Sequence, residues 1–315
     1  MSDSAPFPFP FRKPDPMKTI MKAALTSLAL MLALPACAQS KPTQAANDAD
    51  PALWVVKDAD TTIYLFGTIH VLKPGLSWFD EAVKTAFDKS DQLMLEMVQP
   101  DPATMQQIVM KNGFVTTGPT LTEQLPADKR GAYLKAVTDL GADPRNFDRM
   151  KPWLVGVTLS LAPIQKLGYD PKNGPETVLA DAAKAANKPV AGLETAEQQI
   201  GFFNGLSQKA QIEFLTSTID DLPKAGEEMA EMVDEWAKGD PDALAKTMNE
   251  SLKDSPEVAK TLLTDRNARW ATWIKQRMAK PGTVFIAVGA GHLAGNDSVQ
   301  AQLAKQGIKA QRIAY

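Results

Sequence analysis

Thr61-Thr62-Ile63-Tyr64-Leu65-Phe66-Gly67-Thr68-Ile69-His70 and Thr283-Val284-Phe285-Ile286-Ala287-Val288-Gly289-Ala290-Gly291-His292 are built alike: an apolar, β-branched run, then Gly-x-x-His. Short runs of that composition predict strands. The two imidazoles that follow them are the only histidines among 315 residues. In open α/β sheets, ligands bind in the crevice beyond the carboxyl ends of the strands, so two histidines delivered there by tight glycine turns are expected to face one site. The alternative is that two scarce residues share a spacing by chance.

Outward from these strands the chain alternates between the two periodicities. Leu53 to Lys57, the turn Asp58-Ala59-Asp60 and Thr61 to Phe66 predict a hairpin leading into His70. Asp80 to Lys89 reads as a helix, with Ala82, Val83, Ala86 and Phe87 on one side, and Gln92 to Val98 as a strand with Glu96 near its end. A parallel, right-handed crossover would bring that carboxylate close to His70. From about Asp101 to Gln165 the pattern is helical, interrupted at Gly113, Pro126, Gly141 and Pro152. Glu176 to Asn187 is a further helix, and Lys188 to Glu194 a short strand that ends in another carboxylate. Residues 196 to 253 read as amphipathic helices with acidic outer faces, a layer or lid.

Ser255-Pro256-Glu257 opens a long helix, with serine as N-cap and proline at the first helical position, and Pro281-Gly282 closes it. Arg266, Trp270, Trp273 and Arg277 recur on it at intervals of four, three and four, which predicts a shared face. Ser298 to Lys305 is a helix and Gln311 to Tyr315 a last strand. The expected fold class is α/β: a central mixed sheet with strand-end histidines, flanking helices and a large helical insertion at about 101–253, all in a single domain over 51–315.

With 44% hydrophobic residues the chain can bury a large core. Its net charge is −3 and its Lys and Arg are scattered, so it lacks the basic footprint that a nucleic-acid partner requires. Met17 to Lys22 is basic, Ala23 to Leu34 carries no charge, and Pro35 to Ser40 is mostly small. That is the layout of a secretory signal peptide over 1–38, too short for a membrane span; residues 1–16 fit an upstream start, with Met17 the working one. Cleavage after Ala38 in Ala36-Cys37-Ala38 would release a periplasmic or secreted protein. Leu34-Pro35-Ala36-Cys37 also resembles a lipobox, which would anchor Cys37 by lipid to the outer membrane. Cys37 is the only cysteine, so no disulfide forms within the chain. Gln39 to Asp50 reads as a linker.

Two schemes suit these residues. His70 and His292 with one or both of Glu96 and Glu194 would make a divalent-metal site for Mn, Co, Zn or non-haem Fe, lowering the pKa of a bound water. Without metal, His70 would act as general base on water, oriented by Glu96, with Arg266 stabilising an oxyanion. Each residue also has a structural alternative. Glu96 would be an outward-facing charge, Glu194 a cap for the next helix, Arg266 a surface ion pair, and Trp270 and Trp273 core packing rather than a substrate platform. Gly289-Ala290-Gly291-His292-Leu293-Ala294 matches G-x-G-x-x-A weakly, since the chain ends one strand later and that strand carries no Asp or Glu, and a dinucleotide role is not expected. No G-x-S-x-G elbow, phosphate-binding loop or cysteine nucleophile is present.

Phe66-Gly67-Thr68-Ile69-His70, Leu95-Glu96, Gly192-Leu193-Glu194-Thr195, Asp265-Arg266-Asn267 and Val288 to Gly295 together resemble the TraB/PrgY/GumN family, which includes the Tiki metalloproteases. The resemblance runs in order from about Ala52 to Tyr315. Lys151-Pro152-Trp153 and Gly168-Tyr169-Asp170 also look like family positions. It implies a metal-dependent, extracytoplasmic hydrolase of peptide or related amide bonds, with Mn or Co favoured. His70 and His292 would bind the metal, Glu96 would ligate it or act as base, and Arg266 would stabilise negative charge. The order histidine, glutamate, arginine, histidine is also similar to erythromycin esterases and haem-binding ChaN proteins. Those relatives imply instead a metal-independent esterase-type hydrolase, or a non-catalytic periplasmic protein that binds metal or haem.

Overall fold

Strand residues alternate between two buried faces, and that alternation decides which helices meet which side chains. The computed structural model describes residues 47–249 and 255–314. The expected signal peptide, the lipobox-like stretch at Cys37 and the expected linker as far as residue 46 lie outside the described residues. Among the described residues there are eight strands: β1 (Asn47–Asp48), β2 (Leu53–Lys57), β3 (Thr61–Thr68), β4 (Leu76–Ser77), β5 (Gln92–Met97), β6 (Val190–Glu194), β7 (Gly282–Gly289) and β8 (Gln311–Ile313). Six form one sheet in the order β6-β5-β7-β3-β2-β8, and β1 pairs with β4 apart from it. Strands β6, β5, β7 and β3 run parallel, whereas β2 is antiparallel to both β3 and β8, so the sheet is mixed.

The two histidine strands are immediate neighbours. Gly67 pairs with Val288 and Thr68 with Gly289, so both Gly-x-x-His segments leave the sheet side by side at its carboxyl edge. β5 lies on the far side of β7, which places Glu96 at the same edge, with β7 between it and the strand of His70. Neither motif's first glycine serves by adopting a left-handed turn. Gly289 has φ −49°, and Gly67 is absent from the positive-φ residues. Gly67 is needed for closeness instead, because a Cβ there would lie 3.1 Å from the Cα of Ala290.

Helices α1 (Glu81–Lys89), α2 (Pro102–Gly113), α3 (Leu121–Gln124), α4 (Ala127–Asp139), α5 (Pro152–Lys166), α6 (Pro175–Ala185), α7 (Ala196–Asn204), α8 (Gln208–Asp221), α9 (Ala225–Ala237) and α10 (Pro241–Asn249) follow in chain order. Within the stretch 101–253, β6 returns to the sheet edge between α6 and α7, where Lys188 to Glu194 reads as a strand in the sequence. A continuous helical run then comprises α11 (Pro256–Ala259), a π-helical turn at Lys260–Thr264, and α12 (Asp265–Arg277); α13 is Val299–Lys305. Ser255 stands at the N-cap, but its side chain makes no capping bond. The buried stripe of α12 is Arg266, Asn267, Trp270, Ala271 and Ile274. Arg266, Trp270, Trp273 and Arg277 do lie along one side of the helix, as their spacing predicts, but only the first two are fully buried.

Phe66, Leu93, Leu95, Met97, Phe285 and Ala287 point to the face covered by α1, α2, α5 and α9. Ile63, Leu65, Met94, Val284, Ile286 and Val288 point to the opposite face, covered by α12 and α13. Glu96 shares the parity of Met94, so the period of two turns it towards α12 and Arg266. A third cluster around Tyr133, Val155, Leu159 and Leu215 holds α3, α4, α5 and α8 to one another. Among the described residues no helix is long and apolar enough to cross a membrane.

Trp236 on α9 ties the helical layer to the site edge: its indole N–H donates to the Gly67 carbonyl at 2.7 Å, and its ring meets Phe66 and Trp78 edge-on. Trp236→Phe removes that buried bond and should cost about 0.5–1.5 kcal/mol, lowering the thermal transition by a few degrees in a circular-dichroism melt. An unchanged transition would show that this bond does not hold the strand end.

Candidate active site

At the carboxyl edge of the sheet, five elements converge on one guanidinium. Arg266, 1% exposed, enters from the first turn of α12. Its Nη2 donates to Glu96 Oε2 at 2.6 Å and Glu194 Oε2 at 2.7 Å, and its Nε reaches both oxygens of Glu194 at 3.0 and 3.1 Å. Nη1 donates to His292 Nε2 at 3.0 Å and, more weakly, to the Leu262 carbonyl at 3.3 Å. The carboxylates are braced in turn. Gln199 Nε2 donates to both at 3.2 Å, the Trp270 indole donates to Glu194 at 3.1 Å, and the Gly289 N–H donates to Glu96 Oε1 at 2.6 Å. This last bond links Glu96 to the second Gly-x-x-His motif directly.

His292 is saturated in this arrangement. Its Nδ1 lies 2.6 Å from Asn267 Oδ1, an acceptor, so Nδ1 carries the proton and Nε2 accepts from Arg266. Burial first, then the charge of Arg266, then that of His70, push its pKa well below the ordinary 6.5, which keeps the ring neutral. Its 3.7 Å approach to Glu96 is therefore a contact and not an ion pair. For Arg266, burial opposes charge, but Glu96 and Glu194 outweigh it and raise its pKa further.

His70 belongs to a second, smaller group. Its Nδ1 lies 2.5 Å from Glu176 Oε1 at the start of α6, and the Thr68 hydroxyl donates to the same oxygen. Burial alone would lower the imidazole pKa, but the charge and hydrogen bond of Glu176 more than offset it and hold His70 above 6.5. Burial likewise pushes Glu176 up, and His70 and Thr68 reverse this to leave it below 4.5. The two groups share one electrostatic neighbourhood, since Glu96 and Arg266 act on His70 and His70 acts on His292. Among the described residues, His70 Nε2 and Glu176 Oε2 are buried without a hydrogen-bond partner. A cleft of about 310 Å³ opens beside Glu194 between the ends of β5 and β6, walled by Val98, Pro100, Thr104, Ile108 and Thr195.

The predicted site residues thus divide unevenly. His292, Glu96, Glu194 and Arg266 meet in direct contact, and His70 stands beside them with a different partner. The set of His70, His292, Glu96 and Glu194 does not converge on one point: three of the four turn donor atoms to the guanidinium, and His70 turns Nδ1 to Glu176. Among the described residues no group of three or more His, Cys, Asp or Glu is arranged to hold an ion. The residues do not fit the expected metal in this arrangement.

Several structural alternatives are also decided. Thr195, not Glu194, caps α7, in a box with Gln198. Arg266 is no surface ion pair, and Trp270 is core, packed 4.4 Å from the His292 ring and 4.8 Å from the guanidinium, centre to centre. Arg266 has committed its N–H groups to protein partners, so the oxyanion role expected of it has only the long bond to Leu262 to exchange. Glu176, Gln199 and Asn267 were not foreseen as site residues. Asn267 stood next to Arg266 in a quoted motif, whereas Glu176 reads in sequence as an ordinary first-turn acid of a helix.

Residues 52–312 match the TraB/PrgY/gumN family, and the chain belongs to it. The YbaP protein of Escherichia coli K12 is 25% identical over 257 residues, covering 80% of this chain and 92% of YbaP. Metalloprotease TIKI2 of Danio rerio is 26% identical, covering 84% of this chain and 61% of TIKI2, and metalloprotease TIKI1 of Xenopus tropicalis is 24% identical, covering 78% and 58%. The chain therefore spans about three-fifths of the Tiki proteins. No solved structure matches it, so the likeness to erythromycin esterases and ChaN proteins stays one of residue order.

With only two imidazoles, the pKa directions are directly observable. A proton NMR titration should show one ring, His70, titrating above 6.5 and the other staying neutral well below it; two titrations near 6.5 would contradict the geometry. The stability consequences oppose each other. His70 contributes stability below pH 6.5 that is lost as pH rises through its raised value, and Glu176 contributes above 4.5 and loses it as pH falls through its lowered value. His292 costs stability below 6.5, where the unfolded ring takes up a proton that the folded one refuses.

Proposed function

We propose that the chain is an extracytoplasmic hydrolase of peptide amide or related carboxyl bonds, with His70 as the general base. The observation that carries this reading is the state of His70: a ring fixed through Nδ1, its Nε2 buried at the sheet's carboxyl edge and free of any described partner. Family membership and the metalloprotease names of the Tiki relatives support hydrolysis, and the signal-like leader supports export. In the step itself, Nε2 takes a proton from water as the water oxygen bonds to the substrate carbonyl carbon. The protonated ring then returns that proton to the leaving nitrogen or oxygen as its bond to carbon breaks.

Arg266 supplies a fixed positive charge beside the developing oxyanion. Its Nη1 is the donor we assign to exchange partners, because the bond to Leu262 is the longest of the described ones. Leu262 lies in the π-helical turn, a feature frequent at functional sites. Glu96, Glu194, Gln199 and His292 hold that charge in place, and the cleft beside Glu194 gives a substrate side chain room to approach.

The test is hydrolysis of a panel of peptide amides and carboxylic esters by the mature protein, with and without chelator. On this reading wild-type activity is indifferent to chelator, and His70→Ala lowers kcat/KM by about 10²–10⁴-fold. Activity abolished by chelator and restored by Mn or Co would replace this scheme with the metal-dependent one that the Tiki relatives suggest.

A further inference from the structure

His70 and Glu176 are 106 positions apart in sequence, yet their approach is built by several contacts besides their own hydrogen bond. Leu72 and Asp170 form an isolated antiparallel bridge, with N–H···O distances of 3.0 and 3.4 Å. Asn173 Nδ2 donates to the Leu72 carbonyl at 3.2 Å. Gly174 packs so closely on the His70 main chain that any Cβ there would collide with the His70 carbonyl. Pro175 then starts α6, and Glu176 follows in its first turn, where the helix dipole favours a carboxylate. The Gly174-Pro175-Glu176 corner is thereby clamped against the residues that follow β3, and the carboxylate is delivered to one ring nitrogen.

Resting on the reading of His70 as base, we propose that Glu176, with Thr68, is a positioning residue that fixes the His70 ring as the Nδ1–H tautomer and so leaves the Nε2 lone pair facing the site. A carboxylate accepts only, so Nδ1 must donate to it. The Thr68 hydroxyl, donating to the same oxygen, keeps that oxygen in place. An unrestrained imidazole would distribute its proton over both nitrogens, and the fraction protonated at Nε2 cannot take a proton from water. Glu176 lies behind the ring and touches no substrate. Its role differs from that of Glu96, to which the orienting function was first assigned and which is committed to Arg266 and Gly289.

The experiment is nitrogen-15 NMR of the two histidine rings at a pH where both are neutral, on wild type, Glu176→Ala and Glu176→Asp, with steady-state kinetics on the same proteins. Wild type should show His70 protonated at Nδ1 alone. Glu176→Ala should move the proton towards Nε2, lower kcat by about 10²-fold or more with KM within about twofold, and leave the His292 signals in place. Glu176→Asp should recover part of both. Wild-type His70 protonated at Nε2, or a ring spectrum and kcat unchanged in Glu176→Ala, would overturn the proposal. The spectrum of wild type needs neither substrate nor variant. Failure to turn over any substrate would therefore end the hydrolase reading without deciding this one.

Discussion

A guanidinium buried between two carboxylates is the constraint on which the rest of the site depends. Removing three charges from water is costly, and the pairing offsets that cost only if the geometry is good and every remaining donor and acceptor is satisfied. The structure meets that condition in detail. Gln199, Trp270 and the Gly289 N–H take up the carboxylate positions that Arg266 leaves, and His292 and Leu262 take up the remaining guanidinium N–H groups. The partners come from β5, from β6 and the helix after it, from the end of β7 and from the helical run of Arg266 itself, so the cluster also locks β5, β6, β7 and α12 together at one end of the sheet. Breaking such a pair by deleting one member typically costs about 3–5 kcal/mol, because the survivor is left buried and uncompensated.

That constraint separates two histidines that look equivalent in sequence. His292 lies inside the cluster, neutral and used at both nitrogens, and its task is to complete the surroundings of Arg266. His70 lies one strand away, held at a single nitrogen. The same Gly-x-x-His motif thus yields a ring used at both nitrogens in one place and a ring held at one nitrogen in the other. The difference comes from what packs against each, a helix carrying arginine in one case and a helix N-terminus carrying glutamate in the other.

Much of this was legible beforehand because it depends on local rules. Strand periodicity located β2, β3, β5, β6 and β7 to within a residue or two, and the rule that parallel strands end together brought His70, Glu96 and His292 to one edge. For Glu96 the apolar strand left two readings open, a paired carboxylate and an outward-facing charge, and the buried contacts with Arg266 and Gly289 decide for the first. What the sequence did not disclose is long-range pairing. Glu176 obeys helix-start preferences so well that nothing marks it as the partner of a histidine 106 residues earlier. The π turn before Arg266 interrupts a pattern that reads as plain helix. The place of Arg266 was hidden for the same reason: the residue types around it read as a metal set, and the guanidinium that pairs with Glu96 and Glu194 reads as an accessory.

The central claim is that Arg266 is the charge around which Glu96, Glu194 and His292 are organised. A high-resolution crystal structure of the mature protein, grown once with Mn and once with chelator, tests it most directly. The account predicts the guanidinium between Glu96 and Glu194, with Nη1 on His292 Nε2, in both crystals. Density for an ion bonded to His292 and Glu96 at roughly 2 Å, with Arg266 displaced, would contradict it.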